Sequence, residues 1–283
     1  MIDSHMHIFD VGALRGGDSS ARYIPERSAL FDDYRKLSSP TGVDGALLVQ
    51  PSFLKTDNSF LLRHLATQNT SFGRFGVAVV DPRTPPETLK ALHSAGVVGI
   101  RFNLVQTDDE ALRFERRLYA SLWKTLGALG MHVELHVESD RLMKVVDALY
   151  PHVPKIVIDH FMRPSEGLRG FITKTPSIYK EIAQYGDEGK LWVKTSAAYR
   201  VVPDAPHREA VRNCADLAEM LTEMLGSRRL LWGSDWPYTQ NAERVEGESP
   251  TEQYQAVAAT RELWTKGGTL YDPDEAFREL TGF

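Results

Sequence analysis

The chain has 283 residues, of which 42% are hydrophobic and 25% are charged, and its formal net charge at pH 7 is -5. This composition is typical of a globular protein, and the acidic balance argues against a nucleic-acid partner, because phosphate binding needs a clustered excess of Lys and Arg. The single cysteine excludes an intrachain disulfide and a cysteine-based zinc cluster.

No segment approaches the run of about 20 apolar residues that spans a bilayer. No basic segment followed by an apolar one precedes "MIDSHMH", as a secretory signal would require. We therefore expect a cytoplasmic protein without a membrane partner. The sequence leaves a homo-oligomer open.

Short apolar segments alternate with longer amphipathic segments along almost the whole chain. Eight apolar segments have the length and composition of buried strands. They are residues 2–7, 45–50, 75–80, 97–102, 132–137, 155–160, 191–196 and 230–235. Helical periodicity is clearest in residues 60–69, 86–96, 116–130 and 140–150. Proline at the first turn, as at Pro86, and glycine after the last turn, as at Gly96 and Gly130, mark helix ends.

Strands that alternate with helices predict βα units and a parallel sheet. Eight units in about 250 residues have the size of a closed (β/α)8 TIM barrel, so we predict one α/β domain over residues 1–283. An open doubly wound sheet is the alternative, disfavoured because no G-x-G-x-x-G turn follows the first strand. Residues 9–34 and 198–210 are long insertions after strands, where barrel enzymes place lids and substrate clamps.

Histidine and aspartate recur at the carboxyl ends of the predicted strands. Alternate strand residues share a face, so Asp3, His5 and His7 point one way. Polar side chains inside a barrel must be paired, hydrated or bound to a ligand. The strand-end residues are His5, His7, His136, His160 and Asp235. Because active sites of barrel enzymes lie on this face, we predict that these residues converge on one site.

Two roles for the paired histidines remain open. His5 and His7 stand two apart, so both can reach one point above the barrel mouth, and His136 and Asp235 can approach the same point. Three imidazole nitrogens and one carboxylate oxygen suit one divalent cation such as Zn²⁺ or Mn²⁺. Hydrogen bonding without any metal explains the same residues.

Further polar residues follow other strands and indicate a ligand site. They are Gln50, Ser52, Arg101, Asn103, Arg163, Tyr199 and Arg200. Because guanidinium groups pair well with carboxylates, we expect a small anionic or polyhydroxy substrate.

The remaining candidate residues receive structural interpretations. His64, His93, His152 and His207 lie in helical or loop contexts, and we expect them to be exposed to solvent. Cys214 recurs with apolar residues at helical spacing, which predicts core packing. There is no G-x-S-x-G turn, so a serine or cysteine nucleophile is not supported.

Six segments in chain order carry a family resemblance: "DSHMHIFD", "VQPSF", "GIRFN", "VIDHFMRP", "WVKTS" and "LLWGSDWPYTQ". Together they resemble the amidohydrolase superfamily, and most closely its amidohydrolase-2 branch, which contains 2-pyrone-4,6-dicarboxylate lactonase and sugar lactonases. The resemblance implies a (β/α)8 barrel that hydrolyses small cyclic esters or amides. It implies that Asp235 takes a proton from the attacking water, and that His5, His7 and His160 polarise the substrate carbonyl. Arg101 and Arg163 fall where that lactonase holds its substrate's carboxylates.

The sequence also departs from the lactonase pattern. Thr107 and Tyr238 stand where the lactonase has Arg and Asn, so its dicarboxylate clamp is incomplete. That lactonase works without metal, whereas metal-dependent members use the H-x-H pair, a fifth-strand histidine, here His136, and the eighth-strand aspartate. We expect a hydrolase that opens a small carboxylated lactone. The alternatives are a metal-dependent non-hydrolytic decarboxylase or a lactone isomerase, and, more remotely, a non-catalytic sugar-acid-binding protein.

Overall fold

The computed structural model describes residues 1–13, 25–67, 71–105, 114–164, 176–187, 189–202, 205–238, 249–259 and 273–282. All eight predicted strands are present. They are β1 (Ile2–Met6), β2 (Gly45–Val49), β3 (Gly73–Ala78), β4 (Val97–Asn103), β5 (His132–His136), β6 (Ile156–Ile158), β7 (Leu191–Thr195) and β8 (Leu230–Trp232). They form one parallel sheet in sequential order. A parallel bridge between Met6 and Trp236 joins its two edges, so the (β/α)8 TIM barrel is nearly closed, as predicted.

Helices follow the strands in the expected alternation. They are α1 (Phe31–Ser38), α2 (Ser59–Ala66), α3 (Pro86–Ser94), α4 (Arg116–Leu129), α5 (Ser139–Leu149), α6 (Pro176–Asp187), α7 (Ala198–Val201), α8 (His207–Asn213), α9 (Ala215–Leu225), α10 (Pro250–Ala258) and α11 (Pro273–Thr281). Gly130 ends α4 with a φ of 68°, a left-handed conformation that glycine adopts without a steric penalty. Within the described ranges, no helix has the length and apolar composition needed to cross a membrane.

Three strands end two or three residues earlier than predicted, whereas the other five end within one residue of the prediction. β3 stops at Ala78 because the backbone N–H of Val79 donates to the Asn58 side chain instead of continuing the ladder. β6 and β8 stop early because the chain turns into left-handed backbone at His160 and Asp235, where φ is 55° and 58°. The predicted last residues of these two strands are therefore turn residues.

Two apolar clusters lie on opposite faces of the sheet. The larger one packs alternate strand residues, such as Leu135 and Val193, against the surrounding helices. The second cluster takes the other strand face, including Val157 and Trp192, and packs against Phe277 of α11. This helix packs at the amino ends of the strands, where the Ile2 N–H donates to its Asp274 side chain.

The two predicted insertions are described in part. Of residues 9–34, the structure describes a bridge between Phe9 and Ala29 and the start of α1, and residues 14–24 lie outside the described ranges. Residues 198–210 contain α7 and the start of α8, and residues 203–204 lie outside. Their predicted roles as lids or clamps stay predictions.

Candidate active site

Four buried side chains meet at the carboxyl ends of the strands and form a group that we call the rim cluster: His5, His7, His160 and Asp235. The two Nε2 atoms of His5 and His7 are 3.3 Å apart. Asp235 Oδ1 lies 3.5 Å from Nε2 of His5, 3.6 Å from Nε2 of His7 and 3.9 Å from Nε2 of His160. The structure thus brings together the four residues that we predicted to be catalytic.

Unusual backbone geometry places two members of the rim cluster. Residues 160–163 all have positive φ, and so does Asp235. Left-handed backbone costs an L-residue roughly 1–2 kcal/mol, and such strain concentrates at functional sites. Gly233 lets the end of β8 approach β1, because a Cβ there would lie 2.8 Å from Cβ of His5. Asp235 N–H then donates to the His5 carbonyl at 2.8 Å.

The two carboxylate oxygens of Asp235 have different surroundings. Oδ2 accepts hydrogen bonds from the Tyr199 hydroxyl and, at 3.3 Å, from Arg200 Nε. Oδ1 is buried, has no hydrogen bond and faces the three imidazoles. Tyr199 and Arg200, predicted to bind substrate, therefore contact the predicted base in this structure.

The surroundings of the rim cluster shift the pKa values of Asp235, His160 and His5. Burial acts to raise the pKa of Asp235, but His160 and the Arg200 guanidinium outweigh it and hold the pKa well below the ordinary carboxyl value. Burial lowers the pKa of His160 well below the usual imidazole value, and it lowers the pKa of His5 to about 3. At neutral pH, Asp235 is therefore in the protonation state that a general base requires.

The spacing of three rim atoms fits one divalent cation. Bonds of about 2.0–2.1 Å in tetrahedral zinc sites put neighbouring ligand atoms about 3.3–3.4 Å apart. The distances among His5 Nε2, His7 Nε2 and Asp235 Oδ1 run from 3.3 to 3.6 Å. Oδ1 is moreover a buried oxygen without a hydrogen bond. These three residues therefore form a donor set that fits a metal ion.

A second group of buried side chains lies next to the rim cluster, and we call it the inner ion network: Arg101, Glu134, Asp159 and Lys194. Arg101 donates to Asp159 Oδ2 from Nε at 3.0 Å and from Nη2 at 2.8 Å. Lys194 Nζ donates to Glu134 Oε2 at 2.5 Å. His5 touches both pairs, since its Nδ1 lies 3.2 Å from Lys194 Nζ and 3.3 Å from Asp159 Oδ1.

Comparison with known proteins agrees with this arrangement. A family model described as amidohydrolase matches residues 2–275. The chain belongs to the amidohydrolase family. The 4-sulfomuconolactone hydrolase of Hydrogenophaga intermedia is 26% identical over 240 residues, which cover 84% of this chain and 74% of the relative.

Two other proteins are similar to this amidohydrolase over nearly its whole length. The D-galactarolactone isomerase of Agrobacterium fabrum is 25% identical over 288 residues, covering 98% of this chain and 86% of the relative. A crystal structure from Pseudomonas putida, assigned to the 2-pyrone-4,6-dicarboxylic acid hydrolases, superposes with a TM-score of 0.80 at 34% identity. It covers 99% of this chain and 97% of its own.

His136 lies beside the rim cluster but outside the three-residue donor set of this amidohydrolase. Its ring is 4.9 Å from the His160 ring, and its Nε2 accepts a hydrogen bond from Arg163 Nη1 at 3.2 Å. Arg163 is at the end of the left-handed turn that begins at His160. A role for His136 in metal binding stays a prediction, because the lone pair on its Nε2 accepts a hydrogen bond from Arg163 in this structure.

Arg101 and Asn103 occupy the end of β4, as expected. Arg101 is 4% exposed, and its hydrogen bonds to Asp159 use Nε and Nη2. Asn103 is half-buried, pairs in register with His136 across the β4–β5 ladder and accepts from the Val105 N–H at 3.4 Å. Both lie beside the barrel mouth. Thr107, a departure from the lactonase pattern, lies outside the described ranges.

Gln50 and Ser52 follow β2 in this amidohydrolase. Gln50 is buried, and its side-chain amide donates to the carbonyls of Lys55 and Asp57, at 3.3 and 2.7 Å. It therefore shapes the loop after β2. Ser52 is half-buried and begins the short 3-10 turn at Ser52–Leu54. Substrate binding by these two residues stays a prediction.

Among the residues given structural interpretations, Cys214 is fully buried in the core, as predicted. The prediction that His207 is exposed was wrong, because its side chain is 1% exposed. Its ring packs against Tyr238 at 4.8 Å and Tyr199 at 5.5 Å. His207 is therefore part of the aromatic packing behind Asp235, which a local sequence pattern does not reveal.

Lys194 and Ser196 were missed by the sequence analysis. Lys194 is fully buried within the inner ion network, and Ser196 Oγ lies 2.9 Å from Nδ1 of His160. A signal was present in "LWVKTS", because strand alternation puts both residues on the inner face with Trp192. A lysine on the inner face of a barrel strand needs a buried anion, and Glu134 on β5 supplies it.

Proposed function

We propose that this amidohydrolase opens a small carboxylated lactone with water and that Asp235 is the general base. The observation that carries the proposal is Asp235 Oδ1, a buried oxygen without a hydrogen bond that faces three imidazoles. The hydrolase names of two similar proteins, for 4-sulfomuconolactone and 2-pyrone-4,6-dicarboxylic acid, support a cyclic ester as the substrate class.

The rim cluster supplies both groups that hydrolysis of a lactone needs. The Nε2–H of His160, whose Nδ1 lies 2.9 Å from Ser196 Oγ, hydrogen-bonds the carbonyl oxygen and stabilises the negative charge that develops on it. Asp235 Oδ1 takes a proton from water as its oxygen bonds to the carbonyl carbon. The carbon–oxygen bond of the ring then breaks, the ring oxygen receives the proton held by Asp235, and the new carboxylic acid releases its own proton to solvent, so the products are a carboxylate, an alcohol and one proton.

Tyr199 and Arg200 orient the base in this proposal. Their hydrogen bonds to Oδ2 leave Oδ1 as the oxygen that receives the proton. The Arg200 side chain is 17% exposed, so part of it also reaches the barrel mouth. Together with Arg163, it gives the mouth positive charge that suits a substrate carboxylate.

The rim cluster would hold a divalent cation such as Zn²⁺ or Mn²⁺ through His5, His7 and Asp235. A bound cation would supply a Lewis acid for the lactone carbonyl. His136 is proposed as a further ligand only if Arg163 releases its Nε2.

Lactone isomerisation is the second candidate, because the isomerase relative aligns with 98% of this chain. An isomerase returns the acyl group to another hydroxyl of the same molecule, so it consumes no water and releases no proton. The two reactions need the same base and the same carbonyl site, and their products distinguish them.

A panel of carboxylated and neutral lactones, followed by proton release and product analysis, tests the proposal. We expect proton release with carboxylated lactones and a ring-opened acid as the product. Conversion to an isomeric lactone without proton release would replace hydrolysis by isomerisation. Release of carbon dioxide would indicate the decarboxylase alternative.

A further inference from the structure

The hydrogen bonds of His7 fix the position of its ring proton. His7 Nδ1 lies 2.8 Å from the carbonyl oxygen of Val49, and a carbonyl oxygen only accepts. Nδ1 therefore carries the proton, and Nε2 of His7 presents a lone pair. His5 Nε2 lies 3.3 Å from that atom.

This arrangement determines the tautomer of His5. Two lone pairs would repel each other at 3.3 Å, so one of the two Nε2 atoms donates, and because Nε2 of the neutral His7 ring has no proton, His5 Nε2 is the donor. His5 Nδ1 then presents a lone pair. Lys194 Nζ lies 3.2 Å from His5 Nδ1, and an ammonium group can only donate a hydrogen bond. In this arrangement Lys194 donates to His5 Nδ1, His5 Nε2 donates to His7 Nε2, and His7 Nδ1 donates to the Val49 carbonyl. Each contact therefore has one donor and one acceptor.

Asp159 favours the other tautomer of His5, in which the proton is on Nδ1. Its Oδ1 lies 3.3 Å from His5 Nδ1, is buried and has no hydrogen bond. A carboxylate oxygen only accepts, so it suits a proton on Nδ1 rather than on Nε2. Lys194 and Asp159 therefore favour different tautomers of one ring, and Lys194 makes the hydrogen bond in this structure.

The two tautomers differ in their capacity to bind a metal ion. A histidine that binds metal through Nε2 needs its lone pair there, and it normally donates its other N–H to a carboxylate or carbonyl. His7 already meets this requirement through Val49. His5 meets it only when its proton is on Nδ1, facing Asp159.

We infer that Lys194 is a positioning residue that holds His5 with its proton on Nε2 and so opposes cation binding by His5 and His7, whereas Asp159 supports it. When a cation binds, the ring proton of His5 moves from Nε2 to Nδ1, and the ring stays neutral. The hydrogen bond at Nδ1 passes from Lys194 Nζ to Asp159 Oδ1. Lys194 keeps its 2.5 Å ion pair with Glu134. The inference does not depend on which lactone is the substrate.

Nitrogen-15 NMR of the histidine rings tests the inference on the unaltered chain. The protein is freed of metal with a chelator, and the His5 signals are assigned from the spectrum of His5→Gln. We expect a protonated Nε2 and an unprotonated Nδ1 at His5, and addition of Zn²⁺ should exchange the two. A protonated Nδ1 in the metal-free protein would overturn the inference.

Zinc affinity, measured by competition with a chromophoric chelator, tests the role of Lys194 directly. Lys194→Met together with Glu134→Gln removes the donor without changing the net charge near the site. We expect this paired variant to bind Zn²⁺ at least about tenfold more tightly than wild type, because one charge-assisted hydrogen bond opposing the metal is lost. An affinity equal to that of wild type would contradict the inference.

Two further variants complete this experiment. Asp159→Asn should weaken Zn²⁺ binding. Unchanged binding would show that Asp159 does not support cation binding by His5. The double variant His5→Gln, His7→Gln gives the background from surface sites. Circular dichroism checks the fold of each variant, and if the paired variant does not fold, the NMR result on wild type decides.

Discussion

The rim cluster and the inner ion network are both polar and buried, but their bonding differs. In the network, two cations face two carboxylates, with contacts of 2.8 Å between Arg101 and Asp159 and 2.5 Å between Lys194 and Glu134. In the rim cluster, Asp235 Oδ1 faces three imidazoles at 3.5 to 3.9 Å, and, like Oδ1 of Asp159 and Oε1 of Glu134, it has no hydrogen bond. The charges of the network therefore compensate one another, whereas the rim cluster surrounds its carboxylate with imidazoles, which can also bind a ligand.

A third buried carboxylate, Asp3, shows what keeps Asp235 ionised. Asp3 accepts hydrogen bonds from Ser234 Oγ at 2.6 Å and from the Tyr34 hydroxyl at 2.9 Å. Within the described part of the chain, it forms no ion pair with Lys or Arg, and burial raises its pKa to about 6 despite these bonds. Asp235 has Arg200 beside it, and its pKa lies well below the ordinary value. A nearby cation, rather than hydrogen bonds alone, therefore maintains a buried base.

The largest expected effect follows from removing the base of the rim cluster. Asp235→Asn keeps the side-chain shape but cannot take up a proton, so turnover should fall by about 10²–10⁴-fold while the fold is retained. Steady-state hydrolysis of the best lactone substrate measures it. Asp140→Asn, at an exposed position of α5, is the matched control. Turnover of Asp235→Asn within about threefold of wild type would contradict the assignment.

A comparable substitution in the inner ion network should affect stability. Lys194→Met removes the 2.5 Å partner of buried Glu134 and leaves it only the 3.4 Å contact with Arg101 Nε, which should lower the free energy of unfolding by about 3–5 kcal/mol. Adding Glu134→Gln should restore much of the loss, because no charge is then left unpaired. Urea denaturation measures both. Equal losses in the single and paired variants would show that the two residues do not act as a pair.

Asp3→Asn tests the effect of burying a carboxyl group without a cation. The pKa of an aspartate in water is 3.8, whereas the pKa of Asp3 in the folded protein is about 6, so the folded state binds more protons between these values. Stability contributed by Asp3 is therefore lost as pH rises from about 4 to about 6, and a shift of two units corresponds to about 3 kcal/mol.

The variant should lack this pH dependence. The difference in unfolding free energy between Asp3→Asn and wild type should shift in favour of the variant as pH rises through this range. Denaturation at pH values on either side of the range measures the difference. A difference that is constant with pH would show that Asp3 does not titrate in this way.

Arg101 belongs to the inner ion network by its contacts, and it was also predicted to contact the substrate. Arg101→Met should lower kcat/KM by roughly 10–150-fold for carboxylated lactones, the effect of losing a charge-assisted contact. Neutral lactones should lose much less. Equal losses for both substrate classes would assign Arg101 a purely structural role through Asp159.

The fold and most of the rim cluster could be predicted because the signals are local. Apolar segments at regular spacing indicated eight strands, and strand alternation placed His5 and His7 on one face. Lys194 was harder to predict, because its partner lies on β5 and the contact between them crosses the barrel interior. The burial of His207 depends on Tyr238, which is distant in the sequence.

Two features of the site have no reliable sequence signal. The left-handed turn over residues 160–163 contains no glycine, so residue preference does not indicate it. The tautomer of His5 depends on atoms from three strands, since Val49, His7 and Lys194 all take part. Both require the tertiary structure.

Turnover of a carboxylated lactone in water labelled with oxygen-18 shows whether the rim cluster catalyses hydrolysis. If Asp235 activates water, mass spectrometry should find one labelled oxygen in the new carboxylate of the ring-opened product, with one proton released per turnover. The Asp235→Asn variant should form this product far more slowly. An isomeric lactone that contains no label and forms without proton release would contradict hydrolysis at the rim cluster.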